Sequence, residues 1–160
     1  MEITSKKVTF TKRPIPVPVS YRPMFKISEI VLVLKLCCRS ETSDLLKLHL
    51  FSWAFKSSSN LNNLKNYVSN NFQGGFTIWG IEPALNRALQ FAIADGICML
   101  TEGKKYQLAS KGESLYNVIN KDKELFVVEK TILKFIGKNK ITEARIRSMS
   151  QNWSLENDKD

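Results

Sequence analysis

The sequence predicts a mainly α-helical fold with one small β-hairpin, an extended N-terminal arm and extra helices at the C-terminus. Three observations support this prediction. Apolar residues recur at helical spacing along most of the chain from residue 26 onwards. Four of the five prolines lie between residues 14 and 23, where they oppose helix formation. Two short apolar segments, at 97–100 and 106–109, flank a Glu-Gly-Lys turn and predict the hairpin.

Composition and charge limit the class of protein. The 160 residues are 43 % hydrophobic and 24 % charged, which predicts one globular domain with extensions and excludes a wholly disordered chain. The formal net charge of +9 is unevenly spread: residues 1–26 carry +5, residues 27–100 carry +1 and residues 101–160 carry +3. An acidic partner, either nucleic acid or an acidic protein surface, is therefore expected at the ends of the chain.

Residues 1–25 are expected to form an extended, proline-rich arm. Its prolines alternate with Ile15, Val17 and Val19, and this pattern favours a polyproline-like path because proline restricts its own φ and the conformation of its predecessor. Such a segment has no core of its own. The regular apolar spacing favours docking along another surface, and a disordered tail is the alternative.

Residues 26–120 are expected to form the domain itself. A first helix starts near residue 26, with Ser28 as its N-cap, and a second helix, apolar on most sides, ends at the polar loop 57–60. A weaker helix follows at about 61–70. Pro83 suits the first position of the next helix, which an Asp-Gly pair ends at residues 95 and 96.

Residues 121–153 are expected to add a C-terminal helical extension, followed by a polar tail at 154–160. The first helix of the extension should turn five apolar side chains inward and four lysines outward. The inward set is Leu125, Val128, Ile132, Phe135 and Ile136, and the outward set is Lys123, Lys130, Lys134 and Lys138. The last helix should place Ile141, Ala144, Met149 and Trp153 toward one side.

The segment 95–119 holds the hairpin and the start of the helix after it. Ser110, with Glu113 three residues later, forms a capping box and predicts where that helix begins. The string Tyr-Gln-Leu-Ala-Ser-Lys-Gly at 106–112 resembles the wing of winged helix-turn-helix domains, in which a Tyr-x-Leu-Thr-x-x-Gly phrase joins the second wing strand to the next helix. The threonine is replaced by alanine here. The resemblance implies a winged-helix domain at 26–120, a fold that serves both DNA reading and protein assembly.

The helix at 83–94 would be the DNA-reading helix of such a domain. It offers Asn86, Arg87 and Gln90 between two acidic residues, which is a weak set for pairing with base edges. At the hairpin, Lys104 and Lys105 are candidates for phosphate contacts, and a solvated hairpin tip is the alternative.

The arm is the better candidate for an acidic partner, because six basic residues there oppose a single glutamate. These are Lys6, Lys7, Lys12, Arg13, Arg22 and Lys26, of which the first four are expected to contact nucleic acid. A second basic group lies near the C-terminus. There the helical spacing of lysines beside glutamates favours an ordinary solvated helix face.

No constellation of catalytic residues is evident, and the chain is predicted not to be an enzyme and to need no cofactor or metal. The single histidine, His49, lies in an apolar helix without a second ligand at metal spacing. Cys37, Cys38 and Cys98 are expected to be reduced core residues. Without a signal peptide or a membrane-spanning apolar run, the chain is expected to be soluble and cytoplasmic.

An excess of aromatic and apolar side chains points to assembly with other proteins, because Trp, Tyr and Phe are favoured at the centres of interfaces. The alternative is that they form the domain core. The residues expected to dock a partner are Phe10, Ile15, Val17, Val19, Phe25, Trp53, Phe72, Phe76 and Trp79.

The layout of the whole chain is similar to that of the small middle subunit of ABC-type three-component systems, including Lamassu-type antiphage defence complexes. The shared features are the length, the proline-containing arm that ends in Pro-Met-Phe-Lys-Ile at 23–27, two apolar helices and a wing near residues 95–96. This resemblance implies a non-catalytic adaptor that joins a coiled-coil ATPase of the structural-maintenance-of-chromosomes type to an effector nuclease. DNA would then be met through the complex, without any membrane. A winged-helix transcription regulator is the alternative.

Overall fold

The structure, a computed structural model, describes residues 22–74 and 81–157, with side chains as far as Ser150. The described chain forms, in order, α1 (Pro23–Cys37), β1 (Thr42–Ser43), α2 (Leu45–Ala54), α3 (Ser58–Ser69), α4 (Pro83–Ala94), β2 (Cys98–Leu100), β3 (Tyr106–Leu108), α5 (Ser110–Lys121), α6 (Val127–Ile136) and α7 (Glu143–Asn157). The predicted mainly helical fold with a small hairpin is therefore confirmed. Almost all of the predicted arm lies outside the described residues.

The small sheet has three antiparallel strands in the order β1-β3-β2. The hairpin strands β2 and β3 pair with Met99 opposite Gln107, and β1 pairs with the other side of β3 through Thr42 and Gln107. Residues 40–43 are polar, and the sequence predicts only a break between two helices there. They instead form a 3₁₀ turn, Arg39–Glu41, and the short strand β1, because β3 provides a partner that local sequence does not reveal.

Helix α1 is the centre of the fold and packs against α2, α4, α5 and α6. The helix begins three residues earlier than predicted, because Pro23 takes a first-turn position with Arg22 as the extended N-cap. Ser28 is consequently inside the helix and is not its cap. Its hydroxyl donates to the carbonyl oxygen of Met24 at 2.8 Å. Nine positions of α1 are buried, so the helix has almost no solvated face.

Helix α4 has the predicted bounds. Pro83 is in its first turn, and Gly96 follows its end with a φ of 77°, a conformation that glycine adopts without strain. The backbone N–H of Ile97 donates to the carbonyl oxygen of Ala92 at 2.9 Å, which closes the helix end and leads directly into β2.

The capping box predicted for α5 is not formed. Ala109 is the N-cap and Ser110 is already the first helical residue. The Glu113 carboxylate is bound by Lys35 Nζ at 2.7 and 2.8 Å, so it does not reach back to the helix start. Gly112 lies so close to the hairpin that an added Cβ would be 2.3 Å from the carbonyl oxygen of Ile97. Contact with α1 and with the hairpin therefore determines how α5 begins.

The inward and outward faces predicted for the first C-terminal helix are partly wrong. Helix α6 buries Ile132, Leu133 and Ile136, whereas the apolar side chains of Leu125, Val128 and Phe135 are exposed. Lys130, predicted to be outward, is buried.

The buried ammonium of Lys130 donates at 2.6 Å to the carbonyl oxygens of both Ile119 and Asp122. These carbonyls end α5, and a cation that satisfies them stabilises the helix terminus. In α7, Ile146 and Met149 are buried while Ala144 is exposed, and the side chain of Trp153 lies outside the described part. None of the described helices is both long and apolar enough to cross a bilayer.

Candidate functional site

The exposed surface of α4 is the part of the fold that would read DNA in a winged-helix domain. The helix buries Leu85, Ala88, Leu89 and Ala92 against the core. Its opposite side exposes three polar residues, Asn86, Arg87 and Gln90, and two large apolar ones, Phe91 and Ile93. Arg87 is the single basic residue within α4. This surface therefore carries one positive charge beside a substantial apolar area.

An open groove of about 480 Å³ runs between the start of α1 and the end of α4. We call it the α1–α4 groove, and it is lined by Pro23, Met24, Ile27, Phe91, Ala94 and Asp95. Met24 and Phe91 are 58 % and 50 % exposed, so at least half of each of these large apolar side chains is open to water. The Asp95 carboxylate accepts from Lys111 Nζ at 2.7 Å at its edge. The groove is thus apolar with an ion pair at one side.

The hairpin also exposes apolar side chains. Strand β2 is an edge of the sheet, and both Met99 and Leu100 are about half exposed on it. Lys104 lies exposed in the turn, with a φ of 59°. Lys105 turns away from the tip of the hairpin, and its ammonium pairs with the Glu143 carboxylate of α7 at 2.8 Å.

Three of the residues predicted to dock a partner, Phe25, Trp53 and Phe72, lie in the described part of the chain. Each of them already packs against other residues of the protein. The Phe25 ring is 5.0 Å from that of Phe126, centroid to centroid, and joins α1 to the start of α6. Trp53 is 8 % exposed and belongs to the core. The Phe72 ring lies edge-on to Tyr67 and beneath the guanidinium of Arg145 at 4.1 Å. The docking predictions for Phe10, Ile15, Val17, Val19, Phe76 and Trp79 lie outside the described residues.

The residues predicted to contact nucleic acid are not brought together. Arg87 lines a second open groove, with Lys56 and Ile81, at the other end of α4. Lys104 and Lys105 lie in the hairpin, and Lys105 is grouped with Arg39 and other residues in a separate cleft. The predictions for Lys6, Lys7, Lys12 and Arg13 fall outside the described part of the chain.

A buried polar network, not predicted from the sequence, joins α1, α2 and the residue before α4. Lys26 is only 2 % exposed, and its ammonium contacts Ser52 Oγ at 3.0 Å and Glu82 Oε2 at 3.3 Å. The Ser52 hydroxyl in turn donates to Glu82. Lys26 is therefore not one of the basic residues available to an acidic partner. Two features of the sequence point to this network. Lys26 and Glu29 are three residues apart in a largely apolar helix, and Glu82 directly precedes the proline that begins α4.

The two other titratable groups of this network, Glu29 and His49, favour their uncharged forms. Burial raises the pKa of Glu29 to about 8, so this carboxyl is mostly protonated at neutral pH, although Lys26 Nζ lies 3.5 Å away. Lys26 and Glu82 then remain as one buried cation with one buried anion. The His49 Nδ1 accepts from the backbone N–H of Glu82 at 3.2 Å, and burial lowers the pKa of the imidazole. A neutral histidine therefore orients the start of α4.

A lysine beside a serine also occurs in the nucleophile pairs of some hydrolases. Here both side chains are at most 3 % exposed, and the adjoining cavity of about 10 Å³ has room for roughly one water molecule. A substrate has no access to such a pair, so the network's role is to hold α1, α2 and α4 together. Cys37, Cys38 and Cys98 are free and buried, and burial raises the pKa of each thiol.

Comparison with known proteins adds no assignment. No family model, no curated protein and no solved structure matches the chain.

Proposed function

We propose that this chain is a non-catalytic adaptor subunit, built on a winged helix-turn-helix, that joins a coiled-coil ATPase to an effector nuclease in a Lamassu-like antiphage defence complex. The partners and the setting come from the resemblance of the chain to the small middle subunits of such systems. In this proposal α4, which would read bases in a DNA-binding winged helix, docks a protein instead.

The order of elements supports the winged-helix part of the proposal. Helix α4 leads directly into the hairpin β2–β3, and α5 follows immediately, as the resemblance implies. Strand β1 extends the hairpin on its β3 side. Gly112 allows the first turn of α5 to contact Ile97 and Leu108, which accounts for the glycine in the wing-like string.

The apolar character of the α1–α4 groove is the observation that carries the adaptor proposal. Met24 and Phe91 are each at least half exposed, and burying apolar surface on a partner is favourable by roughly 25 cal/mol per Å². Methionine and aromatic residues are also enriched at interface cores, where charged residues are depleted. With Arg87 as its one basic residue, α4 makes a poor electrostatic contact with phosphates.

Affinity purification of the full chain from its native host tests the proposal. We expect the wild-type chain to co-purify with a large ATPase whose sequence contains long heptad repeats, identified by mass spectrometry. Phe91→Lys should lose this partner, because it places a charge among the apolar side chains that line the groove.

Val118→Lys is the matched control, since it adds the same charge at an exposed apolar position of α5 outside the groove. It should retain the ATPase. A wild-type chain that elutes without any ATPase, or a Phe91→Lys chain that retains it, contradicts the adaptor proposal.

The alternative is a winged-helix transcription regulator that reads DNA with α4, and the exposed position of Arg87 favours it. This function predicts salt-sensitive binding to the promoter of the protein's own gene, weakened by Arg87→Ala. Binding that is unchanged in this variant would exclude α4 as the reading helix.

A further inference from the structure

A cleft of about 300 Å³ is lined by none of the residues that line the α1–α4 groove. It is lined by Arg39 and Thr42 before α2, Lys105 of the hairpin, and Lys138, Thr142 and Glu143 at the junction of α6 and α7. We call it the basic cleft. Every one of these side chains is polar, in contrast to the lining of the α1–α4 groove.

The basic cleft has a net positive charge. Three cations, from Arg39, Lys105 and Lys138, face one carboxylate, Glu143. That carboxylate is already paired with Lys105 at 2.8 Å. Arg39 Nε donates to Asn139 Oδ1 at 2.9 Å, which holds the guanidinium in place while its terminal N–H groups remain further donors. Arg39 and Lys138, both exposed, are the cations that an incoming anion meets.

The start of α7 adds to this field. Thr142 Oγ1 accepts from the backbone N–H of Arg145 at 3.1 Å, so Thr142 caps the helix and its hydroxyl hydrogen is left to donate. The positive end of the helix dipole lies at the same place. This contribution is secondary to the exposed cations of Arg39 and Lys138.

We propose that the basic cleft binds phosphate groups of a nucleic-acid backbone without reading sequence. Among its described lining residues no aromatic side chain offers a surface on which a base could stack, so a bound nucleotide base is not favoured. The open polar cleft with two exposed cations suits phosphodiester groups held by charge. No residue of α4 lines it, so this contact differs from DNA reading by a winged-helix recognition helix and is independent of the adaptor role.

The test measures binding of the full chain to a fluorescein-labelled DNA duplex of random sequence by fluorescence anisotropy, over a series of salt concentrations. The double variant Arg39→Gln with Lys138→Gln should flatten the slope of log K against log salt by about 1.8, since each lost phosphate contact accounts for about 0.9. Glu143→Gln, which frees Lys105, should tighten binding about fivefold at low salt. Melting curves followed by circular dichroism establish that each variant is folded.

The matched control is Lys121→Gln with Lys123→Gln, which removes the same charge from exposed positions outside the cleft. Its slope should stay close to that of the wild-type chain. Equal slopes for the cleft variant and this control would overturn the proposal.

Two further measurements identify other sources of binding. Neutralising Lys6, Lys7, Lys12 and Arg13 tests the contribution of the N-terminal arm. If this variant loses all salt dependence of DNA binding while the cleft variant loses none, the proposal is overturned. If excess inorganic phosphate shifts the amide resonances of Lys138 and Thr142 while the cleft variant binds DNA as the wild type does, the cleft holds a free anion and the nucleic-acid proposal is wrong.

Discussion

Replacing Gly112 with alanine tests how α5 is attached to the hairpin. A Cβ at this position would lie 2.3 Å from the carbonyl oxygen of Ile97 and 2.4 Å from Leu108 Cδ1. Neither neighbour is free to withdraw, because the Ile97 oxygen accepts from the backbone N–H of Ala109 at 2.9 Å and Leu108 is buried. The first turn of α5 must therefore move away from the hairpin.

The size of the effect follows from two opposing contributions. Overpacking a well-packed site typically costs about 1–3 kcal/mol, and contact with backbone places this site at the upper end. Alanine recovers about 1 kcal/mol of helix propensity relative to glycine. We expect Gly112→Ala to lower the free energy of unfolding by about 2 kcal/mol, which lowers the melting temperature by about 4–8 °C in a protein of this size.

Thermal unfolding followed by circular dichroism measures this change. Gly103→Ala is the matched control, because the nearest atom to an added Cβ there is Thr101 Oγ1 at 3.9 Å. This control should change the stability by less than about 0.5 kcal/mol. If the two variants melt together, the close contact between α5 and the hairpin is not a feature of the folded protein.

Three further predictions concern buried groups. The pKa of Glu29 is raised from 4.5 to about 8 by burial, so the folded state binds the extra proton in this range and stability should fall, by up to about 1.4 kcal/mol per pH unit, as the pH rises through it. Glu29→Gln should remove that fall in urea titrations between these pH values. Lys26→Met should cost about 3–5 kcal/mol in urea unfolding at neutral pH by leaving Glu82 as an unpaired buried anion, and adding Glu82→Gln should restore most of the loss. With pKa values of about 12, the thiols of Cys37 and Cys98 should not react with a disulfide reagent at pH 8 until denaturant is added.

Helical periodicity and turn residues were enough to predict most of the helices and the hairpin. Helix α4 could be predicted at both ends, since Pro83 and Gly96 restrict the backbone locally. The uniformly apolar run of α2 likewise predicted its burial on most sides. In these segments the residues that define the element are close together in the sequence, so no knowledge of distant contacts was needed.

The errors occur where a distant partner decides the outcome. The carboxylate of Glu113 is taken by Lys35, 78 residues earlier in the chain, and so does not complete the capping box. Lys130 is drawn inward by carbonyl groups at the end of α5, which reverses the outward position that its helical spacing predicted. Lys26 is buried because Glu82, 56 residues later, and Ser52 provide its hydrogen bonds. Long polar side chains can satisfy such partners from the core, and pattern analysis assigns them to the surface.

The candidate surfaces were harder to predict than the fold, because exposure depends on which side of each helix the core leaves uncovered. Phe91 is apolar and belongs to an amphipathic helix, so the sequence alone does not distinguish it from a core residue. Trp53, by contrast, was expected at an interface and is buried in the core. Aromatic content therefore predicts that the protein docks a partner but does not predict where. The position of the candidate surface follows from the packing of α1 against α4.

The two proposed surfaces make separable demands on the chain. The α1–α4 groove is lined by α1 and by the end of α4, with Asp95 just beyond it, whereas the basic cleft is lined by residues around β1, β3 and the start of α7. They have no lining residue in common, so each surface can be altered by substitution without changing a residue of the other. Phe91→Lys should then abolish ATPase capture while leaving the salt slope of DNA binding unchanged. Arg39→Gln with Lys138→Gln should retain ATPase capture and flatten the salt slope. Loss of both properties in either variant would mean that the surfaces are coupled and that an adaptor bound to its ATPase does not contact DNA independently.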